Sequence, residues 1–191
     1  MCGRYYVEVD NRTLEEIRNI CLEIERDYPE TKIKTGEIFP SNVVPILTGG
    51  PGEIKAMPAI WGFSFAARGK LIINARSETV EQKPMFRDSF LEKRCALPAT
   101  SFFEWSNDKR KYEFFPPDEE AMYIGGIYRL ERNISSTVIL TRAADAVVAP
   151  IHDRMPVLLT KNQLEYWFSD VSKARAMIAD VSCELQRRVI A

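Results

Sequence analysis

The chain has 191 residues, 46% hydrophobic and 28% charged, with 26 Lys and Arg against 27 Asp and Glu for a net charge of -1. That excludes a disordered chain and a polycation that coats nucleic acid, and the length suits one domain able to bury about 70% of its unfolded surface without a staple. No apolar run nears the ~20 residues of a membrane span, and Met1-Cys2-Gly3-Arg4 opens with no apolar signal core, so a cytoplasmic protein is expected.

In chain order, residues 4–9 read as a first strand. Thr13-Leu14-Glu15-Glu16 reads as a capping box, and Leu14, Ile17, Cys21 and Ile24 recur at helical spacing, with an end near Asp27 ahead of Pro29. Val43–Leu47, Ile54–Trp61, Leu71–Ile73 and Cys95–Trp105 are apolar or β-branched runs bounded by turns and read as strands. Glu78–Gln82 and Phe86–Lys93 read as short helices. Lys111–Phe115, Met122–Tyr128 and Thr137–Thr141 read as further antiparallel strands. After the short apolar Val157–Leu159, Thr160 with Gln163 opens a helix to Phe168, and Ser172 caps a last one. Many short strands with helices at their edges predict α+β rather than a wound parallel sheet. With no repeat and no long linker, residues 1–191 form one domain whose part from 160 onward is helical.

Cys2 is the first residue with distinctive chemistry. Removal of Met1 would leave it a free α-amine beside its thiol. α-Amines titrate near ~7.7–8.0, so part of that amine is nucleophilic at neutral pH. Such an aminothiol condenses with an aldehyde to a Schiff base, and the thiol then closes a five-membered thiazolidine on the same carbon. An internal cysteine cannot, because its nitrogen is an amide. The plain alternative is an incidental residue at a frayed terminus. Cys21, Cys95 and Cys183 read as core or boundary residues, and no cysteine pair has zinc-type spacing.

Three further segments carry candidate groups. In Phe102-Phe103-Glu104-Trp105 a carboxyl stands among aromatics, which would desolvate it and raise its pKa toward a range useful for proton transfer. Strand alternation offers the opposite reading, with Glu104 in solvent and Phe103 and Trp105 packed. His152 is the single histidine, so a multi-histidine metal site is excluded and any imidazole acid or base must be this one. It lies beside Asp153 and Arg154 in a turn fixed by Pro150 and Pro156, and a structural histidine is the alternative. Asn74 and Arg76 follow the strand Leu71–Ile73, where loops present polar groups to ligands. Arg76 suits a phosphate and Asn74 suits orienting a reacting group; a helix cap at Ser77 with Arg76 solvated explains them equally.

The motifs also have an order: Met-Cys-Gly-Arg-Tyr at the start, Trp-Gly-Phe at 61–63, Asn-Ala-Arg-Ser-Glu-Thr at 74–79, Phe-Arg-Asp-Ser-Phe at 86–90, Arg-Cys-Ala-Leu-Pro-Ala at 94–99, Phe-Phe-Glu-Trp at 102–105, Thr-Arg-Ala-Ala at 141–144 and Ile-His-Asp-Arg-Met-Pro-Val-Leu-Leu at 151–159. This resembles the SOS-response-associated peptidase family, the abasic-site processing proteins, from Cys2 to about Leu159. The resemblance implies an α+β domain with a curved, partly barrel-like mixed or antiparallel β-sheet flanked by short helices. It implies a sensor of abasic sites in single-stranded DNA that forms a thiazolidine DNA–protein crosslink through Cys2 after removal of Met1. Autoprocessing at Met1–Cys2 accounts for the peptidase label, and a lyase activity accompanies it.

By residue-by-residue carry-over, Cys2 is the nucleophile, Asn74 holds it and the adduct, and Glu104 is the general acid/base. His152 is the second proton-transfer group. Arg4, Arg76 and Arg154 line the DNA groove, and Trp61 and Trp105 stack or wedge against bases. The family implies no metal or other cofactor, no membrane, and a monomer that joins the nucleoid when crosslinked. Residues 64–70 are shorter and less aromatic than the family pattern, and Arg142 stands where a small or polar residue is commoner. Two readings from other classes compete. One is a cysteine peptidase acting on proteins in trans with Cys2, His152 and Glu104. The other is a non-covalent single-stranded DNA-binding module.

Overall fold

In the first strand, β1 (Arg4–Val7), alternation buries Tyr5 and Val7 and turns Arg4 and Tyr6 outward. The computed structural model describes residues 2–9, 15–50, 52–65, 70–117, 121–179 and 183–190. β1 sits inside a five-stranded antiparallel sheet that runs β15 (Gln186–Val189), β10 (Lys111–Phe115), β9 (Ser101–Trp105), β1, β2 (Gly36–Ile38). Its inner face carries Tyr5, Phe102 and Phe114, the last two stacked at 5.0 Å. C-terminal residues expected to be wholly helical thus end in a strand, β15, whose four residues are all exposed; with no buried face, nothing in their hydrophobic pattern announces it.

The second sheet contains β3 (Val43–Gly50), β4 (Glu53–Trp61), β8 (Arg94–Ala99), β11 (Met122–Arg129) and β12 (Ser135–Ala143), with β13 (Arg154–Pro156) and β14 (Leu158–Leu159) added to it. β12 pairs with β4 in parallel and with β11 antiparallel, so the sheet curls into a partial ring. The seam between β3 and β8 keeps it from being a closed barrel. That ladder holds the single pair Leu47↔Ala96. Extending the register places Pro45 opposite Pro98, and neither has an N–H to give. β7 (Asn74–Arg76) runs parallel to the end of β12, and β5 (Phe63–Phe65) with β6 (Lys70–Ile72) makes a small hairpin. Gly62, at φ +129°, turns the chain out of β4 where a Cβ would collide with the Leu71 side chain.

α1 (Glu15–Asp27) buries Ile17, Ile20, Cys21 and Ile24 against β3 and β4, as the helical spacing predicts; the Thr13 cap lies outside the described residues. α2 (Pro84–Glu92) and α3 (Leu164–Ser169) are joined by Arg94, whose guanidinium donates to the carbonyls of Phe90, Leu91, Trp167 and Phe168 at 2.5–2.8 Å. The Thr160–Gln163 capping box is present. The last helix, α4 (Val171–Ala179), is capped by Asp170 and not by Ser172: Asp170 Oδ1 accepts from the backbone N–H of Ser172 and Lys173. The expected helix at Glu78–Gln82 is only a 3-10 turn at Ser77–Thr79. The run Cys95–Trp105, expected as one strand, breaks at Thr100, which hands the chain from the ring to the other sheet. Both halves are buried save for Trp105 at the far end, so the break leaves no mark in the hydrophobic pattern.

Candidate active site

Cys2 lies fully buried just ahead of β1. Asn74, at the head of β7, donates from Nδ2 to the Cys2 carbonyl at 2.8 Å. A carbonyl only accepts, so this bond fixes the amide's orientation. Asn74 Oδ1 is buried with no hydrogen-bond partner among the described residues. The strand pairing Ile139↔Asn74 holds this residue against β12.

Glu104 points inward from β9 and is 3% exposed, while its neighbours Phe103 and Trp105 turn to the sheet's other face. Of the two readings open from sequence, the desolvated carboxyl is the observed one. Burial raises its pKa; the charge of His152 opposes the rise and that of Asp153 adds to it. Burial, and then the charge of Glu104, likewise pushes the Cys2 thiol well above the ordinary thiol range. Cys21 and Cys95 are core residues, pushed up by burial to about 11 and about 12.

His152 Nδ1 accepts the backbone N–H of Arg154 at 2.9 Å. The same nitrogen stands 3.1 Å from Asp153 Oδ1. A nitrogen that accepts has no proton to donate, so the Asp153 contact becomes an ion pair only when the imidazole is protonated and gives up the Arg154 bond. The Arg154 side chain makes a two-pronged pair with Glu78, Nη1 to Oε1 at 2.5 Å and Nη2 to Oε2 at 2.9 Å, and Nη2 also donates to the Thr141 carbonyl at 2.6 Å.

A groove of about 510 Å³ runs past Asn74, with the exposed cations Arg76 and Lys83 and the partly exposed Met85 along it. A second cleft, about 460 Å³, lies on the outer face of the five-stranded sheet beside Glu37, Lys111, Glu113 and Arg188. There the charges answer one another: Arg4 and Lys111 pair with Glu37, and Arg188 and Ser101 with Glu113. Arg4 also lies 3.7 Å over the Phe39 ring. The half-buried Trp105 is flanked by Arg4 and Lys111, each 5.7 Å from its ring.

Cys2, Asn74, Glu104 and His152 thus lie together, and Arg76 lines the groove that passes Asn74. Trp61 requires a correction. It is 0% exposed, packs edge-on against Tyr5 at 5.3 Å and donates its indole N–H to the Ile73 carbonyl, so it has no face to offer a base. A tryptophan that closes an apolar strand run serves the core as readily as a ligand. Sequence reading gave no role to Lys83, Thr141 or Glu78. The last two stand inside motifs quoted above, which was the available signal. Among the described residues no three His, Cys, Asp or Glu side chains gather as metal ligands, and no helix is long and apolar enough to cross a membrane.

Residues 1–188 match the family described as SOS response associated peptidase (SRAP). The chain belongs to the SOS-response-associated peptidase family. Among curated members it is 36% identical over 190 aligned positions to the abasic site processing protein YobE of Bacillus subtilis, covering 88% of this chain and 82% of YobE. It is 27% identical over 178 positions to YedK of Escherichia coli, covering 87% and 79% of the two chains. A protein of Bordetella bronchiseptica superposes over 100% of both chains with a TM-score of 0.79 at 21% identity, a likeness of fold.

Proposed function

We propose that this chain processes abasic sites in single-stranded DNA, capturing the ring-opened sugar as a thiazolidine on Cys2 once Met1 has been removed. The curated relatives carry the name abasic site processing protein, which supports the class of substrate. The observation that carries the reading is the joint burial of Cys2 and Glu104, with Asn74 gripping the Cys2 carbonyl.

The chemistry follows from these groups. The Cys2 amine adds to the C1′ aldehyde to give a carbinolamine. Glu104, whose pKa burial raises, supplies the proton with which hydroxide leaves as water, giving the protonated Schiff base. The thiol then adds to the same carbon and gives its proton to the Glu104 carboxylate, restoring the acid as the iminium becomes the neutral ring amine. The net change is loss of one water. Burial that keeps the Cys2 thiol protonated suits this order, amine first and sulfur second. It works against a resting thiolate that would cleave proteins in trans. Asn74 Oδ1 offers an acceptor for a sugar hydroxyl. Arg76 and Lys83 align the strand's phosphates, and Trp105 gives a base a partner for stacking. His152 is the second proton-transfer group. Autoprocessing at Met1–Cys2 uses Cys2 and Glu104.

The test is intact mass. Purified protein should lack one methionine and gain the mass of an abasic oligonucleotide less one water. Cys2→Ala should give no adduct; an adduct that survives this change overturns the reading.

A further inference from the structure

We infer that Glu78 is a positioning residue for His152, selecting through Arg154 which imidazole nitrogen carries the proton. This rests on the reading of His152 as a proton-transfer group.

β12 seats β7, with Asn74 and Arg76, on one edge and β13, with Arg154, on the other. On one edge β7 pairs Ile139↔Asn74 and Thr141↔Arg76; on the other β13 pairs Thr141↔Pro156 and Ala143↔Arg154. Glu78 follows directly on β7, in the turn Ser77–Thr79. Its carboxylate reaches over to Arg154 and takes both ends of the guanidinium fork, at 2.5 and 2.9 Å. The Thr141 carbonyl holds Nη2 from a third direction at 2.6 Å. The Arg154 side chain is 12% exposed, so little solvent screens the pair on that side. A planar fork held bidentately leaves its bearer little freedom.

The backbone of Arg154 is where this rigidity acts. Its N–H donates to His152 Nδ1 at 2.9 Å and makes that nitrogen an acceptor, which puts the proton of a neutral imidazole on Nε2. Asp153 competes for the same nitrogen from 3.1 Å, with its side chain 87% in solvent. An Arg154 N–H held in place wins that competition. Without Glu78, the guanidinium loses two of its four hydrogen bonds, the N–H is no longer fixed, and Asp153 draws the proton onto Nδ1. Donor and acceptor ends of the imidazole then exchange, and the group is presented the wrong way round. DNA affinity does not suffer, since a carboxylate beside Arg76 has been removed.

Because the chain has one histidine, the nitrogen-15 imidazole spectrum of the DNA-free protein reports this group alone. The wild-type protein should show the Nε2–H tautomer. Glu78→Ala should move population to Nδ1–H and slow crosslinking about tenfold at saturating DNA, with binding of undamaged single-stranded DNA no weaker. Adding Asp153→Ala to Glu78→Ala should move the tautomer back toward Nε2–H. If Glu78→Ala does not fold, Glu78→Gln preserves the side chain's length and gives the same shifts in smaller degree. An unchanged imidazole spectrum in either folded variant overturns the inference. A wild-type protein that never crosslinks would overturn the functional reading alone, because the spectrum needs no DNA.

Discussion

Glu104 and Glu37 belong to strands that flank β1 in one five-stranded sheet, and they face opposite sides of it. Glu104 looks into the molecule, and burial raises its pKa. Glu37 looks out, where the Lys111 hydrogen bond first, and Arg4 after it, hold its carboxyl below the ordinary range. Around Glu37 the carboxylates are paired with cations, Glu37 with Arg4 and Lys111 and the neighbouring Glu113 with Arg188. Around Glu104 the polar partners are themselves reactive: a cysteine thiol and an imidazole. A carboxyl among reactive neighbours is a proton donor in waiting, whereas a carboxylate among matched cations is a fastening. The outer cleft is of ligand size and is lined by paired charges.

The largest effect should come from Glu104→Gln, which keeps shape but removes the exchangeable proton: crosslinking should slow about 100-fold in single-turnover gels, with DNA affinity held within about twofold. Asn74→Ala releases the Cys2 carbonyl and should slow the same step about tenfold, again by loss of positioning.

Stability should respond in opposite directions on the two faces. A raised folded-state pKa means that the stability Glu104 contributes is full below its unfolded value of about 4.3 and is lost as pH rises through the folded value. Glu104→Gln should therefore raise Tm by about 3 °C at pH 8 and leave it unchanged at pH 4, measured by calorimetry. Glu37 has a lowered pKa, so its contribution is present above its unfolded value and lost as pH falls through the folded one. Glu37→Gln should lower Tm by about 1 °C at pH 7 and not at pH 3, with the crosslinking rate within about twofold of wild type. Equal slowing by Glu37→Gln and Glu104→Gln would erase the distinction between the faces.

Local order was readable wherever one face of an element is buried. The spacing of Ile17, Cys21 and Ile24 located α1, and Lys111–Phe115 matched β10 residue for residue. Strand ends hidden in uniform burial were not, as at Thr100, and neither was β15, which has no buried face. At the site, residue types pointed to Cys2, Asn74, Glu104 and His152, but only the fold brings segments some 70 residues apart to 2.8 Å, as with Asn74 and Cys2. Trp61 could not be assigned from its neighbours, because an indole looks alike in sequence whether it meets a base or the Ile73 carbonyl. Arg154 reads as an open cation until Glu78, 76 positions away, is seen to hold it.

The seclusion of Cys2 has a consequence for the protein at rest. A sulfur sealed from solvent and holding its hydrogen meets peroxide, alkylators and stray metabolic carbonyls slowly. Its burial thereby keeps the side chain reduced and unmodified while the protein is at rest.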